Sequence, residues 1–317
     1  MIMEPEATGR LPMNLDGVYS ALVTAFDEAG ELDLDGCTRS IEHNLAGGVQ
    51  GIIPAGTTGE YYALSEAERL RLFDHTRDVV GDRARLIAGC NSGATREVIR
   101  YATAARELGY EAILLSVPHT SLPSQGELAA HYREIAGAVG LPIVLYNFPA
   151  RSGVELGFEC LDALVDVPEV VAIKEASSDF SRFLALRERY GERYQLCCGS
   201  DDQALDYFFW GVTSWIAGGA NVLPRHHVAL LETAVRGDWH EARRLWQGLL
   251  PWIQHMESGR YNQKAKLGME VQGVRVGAVR APLRPIASDE AADYRRVLEA
   301  ARATPLPAGT AAELIVQ

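Results

Sequence analysis

The stretch Val170-Val171-Ala172-Ile173-Lys174-Glu175-Ala176-Ser177 opens with four apolar residues, three of them β-branched, and then meets a lysine. The apolar run reads as a strand with both faces buried. The lysine at its end needs a reason. Of the 30 Lys and Arg residues, only Lys174, Lys264 and Lys266 are lysine. Where arginine serves nearly every cationic role, a lysine in a buried strand suggests a need for an amine. Arginine keeps its proton, whereas lysine can lose one and become a nucleophile. At its ordinary pKa of about 10.4, roughly one lysine in 2,500 is neutral at pH 7, and burial lowers that pKa by up to about 3–5 units. Read alone, the stretch leaves two options: an amine that forms a Schiff base, or a strand-end lysine reaching solvent or paired with a carboxylate.

Working outward, similar apolar runs lie at residues 18–26, 51–55, 86–90, 112–117, 142–148, 194–199 and 213–217. Helix-period patterns fill the gaps at 33–46, 65–80, 96–108, 125–139, 158–165, 180–190 and 203–210, with Ser65 and Glu68 forming a capping box. Eight strands alternating with helices predict an α/β fold, a parallel (β/α)8 TIM barrel. An open doubly wound sheet is the runner-up, but residues 24–30 carry no glycine-rich dinucleotide fingerprint. Beyond Pro224 the strand signal stops, and helices are expected at 225–236, 238–257 and 288–302. The expected organisation is an N-terminal arm (1–16), the barrel (17–236), a small C-terminal helical appendage (237–302) and a loosely held tail (303–317).

The 317 residues are 47% hydrophobic, enough for a sizeable core, and carry a formal net charge of -12. That field repels phosphate backbones and anionic lipid, so neither nucleic acid nor a membrane is an expected partner. Residues 1–16 carry Glu4, Glu6 and Arg10 without an apolar signal core, and no long uncharged apolar run follows, so a cytoplasmic location is expected. Cys37, Cys90, Cys160, Cys197 and Cys198 lack metal-ligand spacing and read as reduced core thiols, the adjacent pair facing opposite sides of a strand.

In such barrels chemistry sits at the carboxyl ends of the strands. Those positions hold Thr24, Gly56 to Glu60, Asn91, Tyr146 to Arg151, Lys174, Gly199 to Asp202 and Ile216 to Asn221. Gly56-Thr57-Thr58-Gly59-Glu60 offers two hydroxyls and closely spaced N–H groups for a carboxylate, or else a glycine turn whose threonines cap the next helix. Tyr146 offers a phenol for proton transfer, or a rim tyrosine with a satisfied hydroxyl. Arg151 offers a bidentate carboxylate clamp, or an ordinary solvated charge.

Together these residues make the chain resemble the dihydrodipicolinate synthase / N-acetylneuraminate lyase family of pyruvate-dependent class I aldolases. The resemblance rests on Gly56 to Glu60, Tyr146-Asn147 with Pro149, Ile173-Lys174-Glu175-Ala176, Gly199 with Asp201-Asp202, Ala220-Asn221, and Val279-Arg280 with Pro282-Leu283. It spans about residues 17–285. It implies that Lys174 attacks the ketone of pyruvate or another 2-oxo acid to form a Schiff base, that Tyr146 relays protons, and that Thr57 and Thr58 hold the substrate carboxylate. Gly59, Gly199 and the Ile216 carbonyl would complete the pocket, with no metal and no organic cofactor. The partners implied are a 2-oxo acid and an aldehyde, and the assembly a homotetramer or dimer.

The chain departs from that pattern in one loop. Synthases of the family carry a Tyr-Tyr pair after the fourth strand, the second reaching a neighbouring subunit's site; here Val117-Pro118-His119-Thr120-Ser121-Leu122-Pro123 puts His119 and Thr120 there. Arg151 matches the synthase arginine that binds the second substrate's carboxylate, so an anionic aldehyde is expected. Tyr61, Tyr62, Asn91, His119 and Trp215 are the expected specificity residues. The lysine-binding pocket of feedback-regulated synthases is matched by Glu66, Arg69, Gly93 and His119, with only the acidic Glu97 retained, and Arg69 is left as the one candidate for the ligand's carboxylate. Within the scaffold the alternative is a 2-keto-3-deoxy sugar-acid aldolase or dehydratase. Outside it, the alternatives are a non-catalytic 2-oxo-acid sensor, or a pyridoxal phosphate lysine with no identifiable ring partner.

Overall fold

The computed structural model describes residues 13–307. Strands β1 (Gly17–Ala21), β2 (Gly51–Ile53), β3 (Arg85–Gly89), β4 (Ala112–Ser116), β5 (Ile143–Asn147), β6 (Val170–Glu175), β7 (Gln195–Cys198) and β8 (Ser214–Ala217) pair in chain order. All ladders are parallel, and β1 also pairs with β8, which closes the barrel. The expected eight-stranded barrel is therefore what forms. The first strand is shorter than residues 18–26: after Ala21 the chain leaves the ladder, and Phe26 makes an isolated antiparallel bridge to Leu32.

Helices α1 (Leu34–Ala46), α2 (Glu66–Val80), α3 (Thr95–Glu107), α4 (Gln125–Val139), α5 (Pro149–Ser152), α6 (Phe158–Ala163), α7 (Phe180–Tyr190), α8 (Ala204–Phe209) and α9 (Pro224–Val235) follow the strands. Side chains satisfy several of their free N–H groups: Asp33 and Asp179 cap α1 and α7, and Ser65 and Ser124 form capping boxes with Glu68 and Glu127. Apolar residues divide into two layers. Leu15, Tyr19, Ile53, Ile87, Leu114, Val144, Val171, Cys197 and Ile216 fill the barrel interior. Val18, Ile52, Ile113, Leu145, Ile173 and Cys198 face the helices, so the adjacent cysteines do point to opposite sides, and all five thiols are buried.

Strand β6 breaks simple alternation. Val170 faces the helices, so strict period-two counting would send Lys174, four residues on, the same way. The ladder with β5 shifts register at Ile143/Val144, skipping Val171; Val171 and Ala172 both face inward, and Ile173 turns out. This irregularity aims Lys174 into the barrel.

Beyond the barrel lie α10 (Trp239–Glu257), α11 (Tyr261–Val271) and α12 (Ser288–Arg302). The sequence reading omitted α11. It has no side-chain N-cap, starts from Arg260 in a left-handed conformation, and buries the polar Lys264 and Lys266, which obscures its apolar face. Two further expectations change at the ends. The first residues after α12 are not loose: the Pro305 carbonyl accepts from Arg244 Nη2 at 2.8 Å and Leu306 packs on the core. Leu15, within the expected N-terminal arm, plugs the barrel floor, its N–H donating to Gln195 Oε1 at 2.9 Å. The rest of the arm and tail, 1–12 and 308–317, lies outside the described residues. Among the described residues no helix is long and apolar enough to cross a membrane.

Candidate active site

All three lysines are buried, at 6, 1 and 2% exposure for Lys174, Lys264 and Lys266. Their partners set them apart. Lys264 Nζ donates to the His255 carbonyl at 2.7 Å and Ser258 Oγ at 3.0 Å, and Lys266 Nζ meets Glu60 Oε1 at 2.9 Å and the Ala278 carbonyl at 2.8 Å. Lys174 has no carboxylate within ion-pairing distance among the described residues, and its Nζ stands 4.2 Å from the centre of the Tyr146 ring. Tyr146 and Lys174 are direct partners across the β5–β6 ladder, which is why these two side chains meet. Burial draws the Lys174 pKa below its ordinary value, against the opposing pull of Asp201 and of Glu257. Lys174 thus neither reaches solvent nor pairs with a carboxylate among the described residues.

The backbone carrying this pair is fixed from the outer side. Glu175, fully buried, accepts from Asn147 Nδ2 at 3.0 Å on each oxygen and from Arg182 Nε at 3.0 Å, tying the ends of β5 and β6 together. Asn221 does the same where the barrel closes, accepting from the Val23 N–H at 3.0 Å and donating to the Ala21 carbonyl at 2.8 Å. Gly199 leaves room for the lysine shaft, since a Cβ there would lie 2.8 Å from both Cγ and Cε of Lys174.

Above Lys174 opens a cavity of about 360 Å³ lined by Thr57, Thr58, Tyr146, Arg151, Gly199 and Ile216, so seven of the eight expected site residues converge on one chamber. Gly59 does not line it. That glycine packs behind the turn, where a Cβ would fall 2.8 Å from the Leu22 carbonyl oxygen, and its own carbonyl accepts from Thr24 Oγ1 at 2.7 Å. A second cavity of about 450 Å³ adjoins the first, shares Thr57, Tyr146 and Arg151 with it, and adds Tyr61, Tyr62 and His119. Two expected specificity residues lie elsewhere. Asn91 is buried and accepts the Ser116 N–H at 2.7 Å, while Trp215 faces the helical layer and donates to Asp201 Oδ1 at 2.9 Å.

Burial holds the Tyr146 phenol well above its ordinary pKa, as do the charges of Glu257 and Asp201, while a hydrogen bond with Thr57 draws it down. The phenol is therefore protonated at neutral pH. Arg151 is exposed, stacks loosely on Phe148 with 5.8 Å from guanidinium to ring centre, and has no carboxylate within ion-pairing distance among the described residues. It is free to receive an anion.

Sequence reasoning missed a further contributor, the end of α10 and the start of α11. Glu257, Tyr261 and Asn262 all line the inner chamber. The Tyr261 hydroxyl donates to Asp201 Oδ2 at 2.6 Å, and its ring fits only because Gly218 lacks a Cβ, which would come within 2.5 Å of it. Asn262 Nδ2 donates to the Thr57 carbonyl at 3.0 Å. Glu257 is exposed as a residue, yet enclosure of its carboxyl, together with the charges of Asp201 and Asp202, raises its pKa to about 8. Among the described residues no group of three or more His, Cys, Asp or Glu side chains is placed to hold a metal ion.

Comparison with known proteins agrees with this geometry. The family model described as "Dihydrodipicolinate synthetase family" matches residues 14–301. The 4-hydroxy-tetrahydrodipicolinate synthase of Exiguobacterium sp. strain AT1b is 35% identical over 283 residues, 89% of this chain and 97% of the relative. In Streptomyces coelicolor, 4-hydroxy-tetrahydrodipicolinate synthase 1 is 36% identical over 268 residues, 83% of this chain and 87% of that one. Among solved structures, the 4-hydroxy-tetrahydrodipicolinate synthase of Methylacidiphilum fumariolicum SolV superposes with a TM-score of 0.87 at 29% identity, covering 91% of this chain and 96% of that chain.

Proposed function

The chain belongs to the dihydrodipicolinate synthetase family and is a Schiff-base-forming lyase of the dihydrodipicolinate synthase type, and on that premise we propose that Lys174 is the covalent residue and pyruvate its 2-oxo acid. The observation that carries this is the unpaired, buried Lys174 amine against the Tyr146 ring.

In this reading the neutral amine adds to C2 of pyruvate, the carbinolamine loses water, and an iminium results. Loss of a C3 proton gives an enamine, whose C3 then attacks the carbonyl carbon of an aldehyde; water adds to C2 of the regenerated iminium, and the C2–N bond of that carbinolamine breaks as the nitrogen takes up a proton, which releases product and restores the amine. Tyr146, protonated and linked to Thr57, passes protons between the nitrogen, the departing oxygen and the aldehyde oxygen. Thr57 and Thr58 hold the pyruvate carboxylate, Gly199 and Ile216 bound its methyl side, and Arg151 receives a carboxylate on the aldehyde. The covalent adduct is itself the electron sink, and the family's chemistry takes no external cofactor.

A second reading draws on Glu257, whose carboxyl lines the same chamber and whose pKa is raised by enclosure and by the charges of Asp201 and Asp202. An acid there suits expulsion of a hydroxyl from a 2-keto-3-deoxy sugar acid. A panel assay separates the two: pyruvate with aspartate semialdehyde should be turned over, and turnover confined to sugar acids would favour the dehydratase or aldolase. The enzyme is taken to be a cytoplasmic homo-oligomer, tetramer or dimer. Light scattering that gave a monomer at micromolar concentration, or fractionation that recovered it with membranes, would contradict this.

A further inference from the structure

The turn that carries Thr57 and Thr58 lies beyond the end of β2 and so is not held by the barrel ladder. Its far end, Glu60, is a non-glycine residue with φ 54°, in the left-handed region, and is completely buried. Such a conformation persists only where surrounding contacts fix it. Those contacts come from the C-terminal region. Glu60 Oε1 pairs with Lys266 Nζ at 2.9 Å, and Oε2 accepts the Arg280 N–H at 3.0 Å. Both cations also lie 4.2 Å from the centre of the Phe26 ring. Nearer the threonines, the Thr57 carbonyl accepts from the Glu60 N–H at 3.1 Å and from Asn262 Nδ2, on the first turn of α11, at 3.0 Å. One helix thus grips the turn at both ends.

We propose that Lys266 is a positioning residue for the 2-oxo acid: through its buried ion pair with Glu60 it holds the Thr57-Thr58 turn in the geometry that receives the substrate carboxylate. Lys266 does not line either chamber, so it acts through the turn and touches no reacting atom. The inference rests on the assignment of pyruvate to the Lys174 chamber. It also gives Arg280 a task, since its backbone N–H closes the other side of the Glu60 carboxylate. Burying a charge without its partner is costly, so the pair stands or falls together.

The test compares the full-length parent with Lys266→Met, Glu60→Gln and the double variant, reading half-saturation by pyruvate separately from kcat at saturating pyruvate, alongside thermal unfolding. Half-saturation should rise about tenfold or more in each variant, by a larger factor than kcat falls, and with no matching rise in KM for the aldehyde. The double variant should be no worse than Glu60→Gln, because both substitutions break one path. It removes both buried charges, so if Lys266→Met alone does not fold, the double and Glu60→Gln decide the question. Variants that lose stability yet keep pyruvate half-saturation within about twofold overturn the proposal, as does a double variant whose defect is the product of the two single ones. Borohydride labelling of the parent with pyruvate keeps the two claims apart. If Lys174 in the parent is not labelled, the functional reading fails; if it is labelled and half-saturation in the variants is unchanged, only the positioning role fails.

Discussion

Replacing Gly199 by alanine would place a methyl carbon 2.8 Å from Cγ and Cε of Lys174 and 2.8 Å from the Glu175 carbonyl oxygen. Carbon atoms rest at about 3.5–4.0 Å, so the gap must open by roughly 0.7–1.2 Å. The carbonyl side cannot yield easily, because that oxygen already accepts the Gly199 N–H at 2.9 Å within the β6–β7 end. The lysine shaft is the softer neighbour and takes most of the shift. A displacement near 1 Å at a reacting group costs about 10²-fold in rate, and overpacking costs about 1–3 kcal/mol of stability. Gly199→Ala should therefore fold with a lowered Tm and lose about 10²-fold in kcat/KM, with borohydride trapping of pyruvate slowed in parallel. A variant within about threefold of the parent on both rates would refute the claim that the lysine path is set by this close approach.

Tyr146→Phe removes the phenol while keeping the ring beneath the amine, and kcat should fall about 10²–10⁴-fold with little change in pyruvate affinity; steady-state kinetics within about threefold of the parent would remove Tyr146 from the proton path. Arg151→Ala should raise KM for a carboxylate-bearing aldehyde about tenfold or more while sparing pyruvate, and equal effects on both substrates would place the guanidinium elsewhere. Millimolar L-lysine should neither inhibit nor give heat in calorimetry: Arg69, the one residue left for its carboxylate, is buried with its guanidinium donating to the Asn91 and Gly89 carbonyls at 2.9 and 2.6 Å and stacked 4.2 Å from the Tyr101 ring centre. Saturable inhibition below about 1 mM would reverse that conclusion.

The barrel was legible because each strand is a short apolar run set between helix-period segments, a pattern that depends on local spacing alone. Lys174 stood out as a candidate amine because it breaks such a run. Its inward direction was not, since it depends on a register shift between β5 and β6 that no period-two count reveals. Lysine scarcity was also an incomplete signal: Lys264 and Lys266 are buried as well, and only their partners, contributed by residues as distant as Glu60, set these ion-paired lysines apart from Lys174. Glu257, Tyr261 and Asn262 were missed because they lie outside the strand ends, on the turn into a helix whose buried face is partly polar. The one available hint was Gly259-Arg260-Tyr261-Asn262, an aromatic and an amide just after a helix-ending glycine. Gly59 was misplaced for the opposite reason: a glycine beside two hydroxyls looks like part of a cradle, but here it serves the close approach of Leu22.

The central claim, that a depressed-pKa Lys174 forms an iminium with a 2-oxo acid, is tested most directly by borohydride reduction in the presence of pyruvate, followed by intact mass and peptide mapping. Burial lowers the lysine pKa, so the neutral amine becomes abundant at lower pH, and the labelling rate should rise with pH and level off below the ordinary lysine value. The expected result is a single pyruvate-derived adduct on Lys174, absent from Lys174→Ala. An adduct that persists in Lys174→Ala, or none in the parent with any 2-oxo acid, would contradict it.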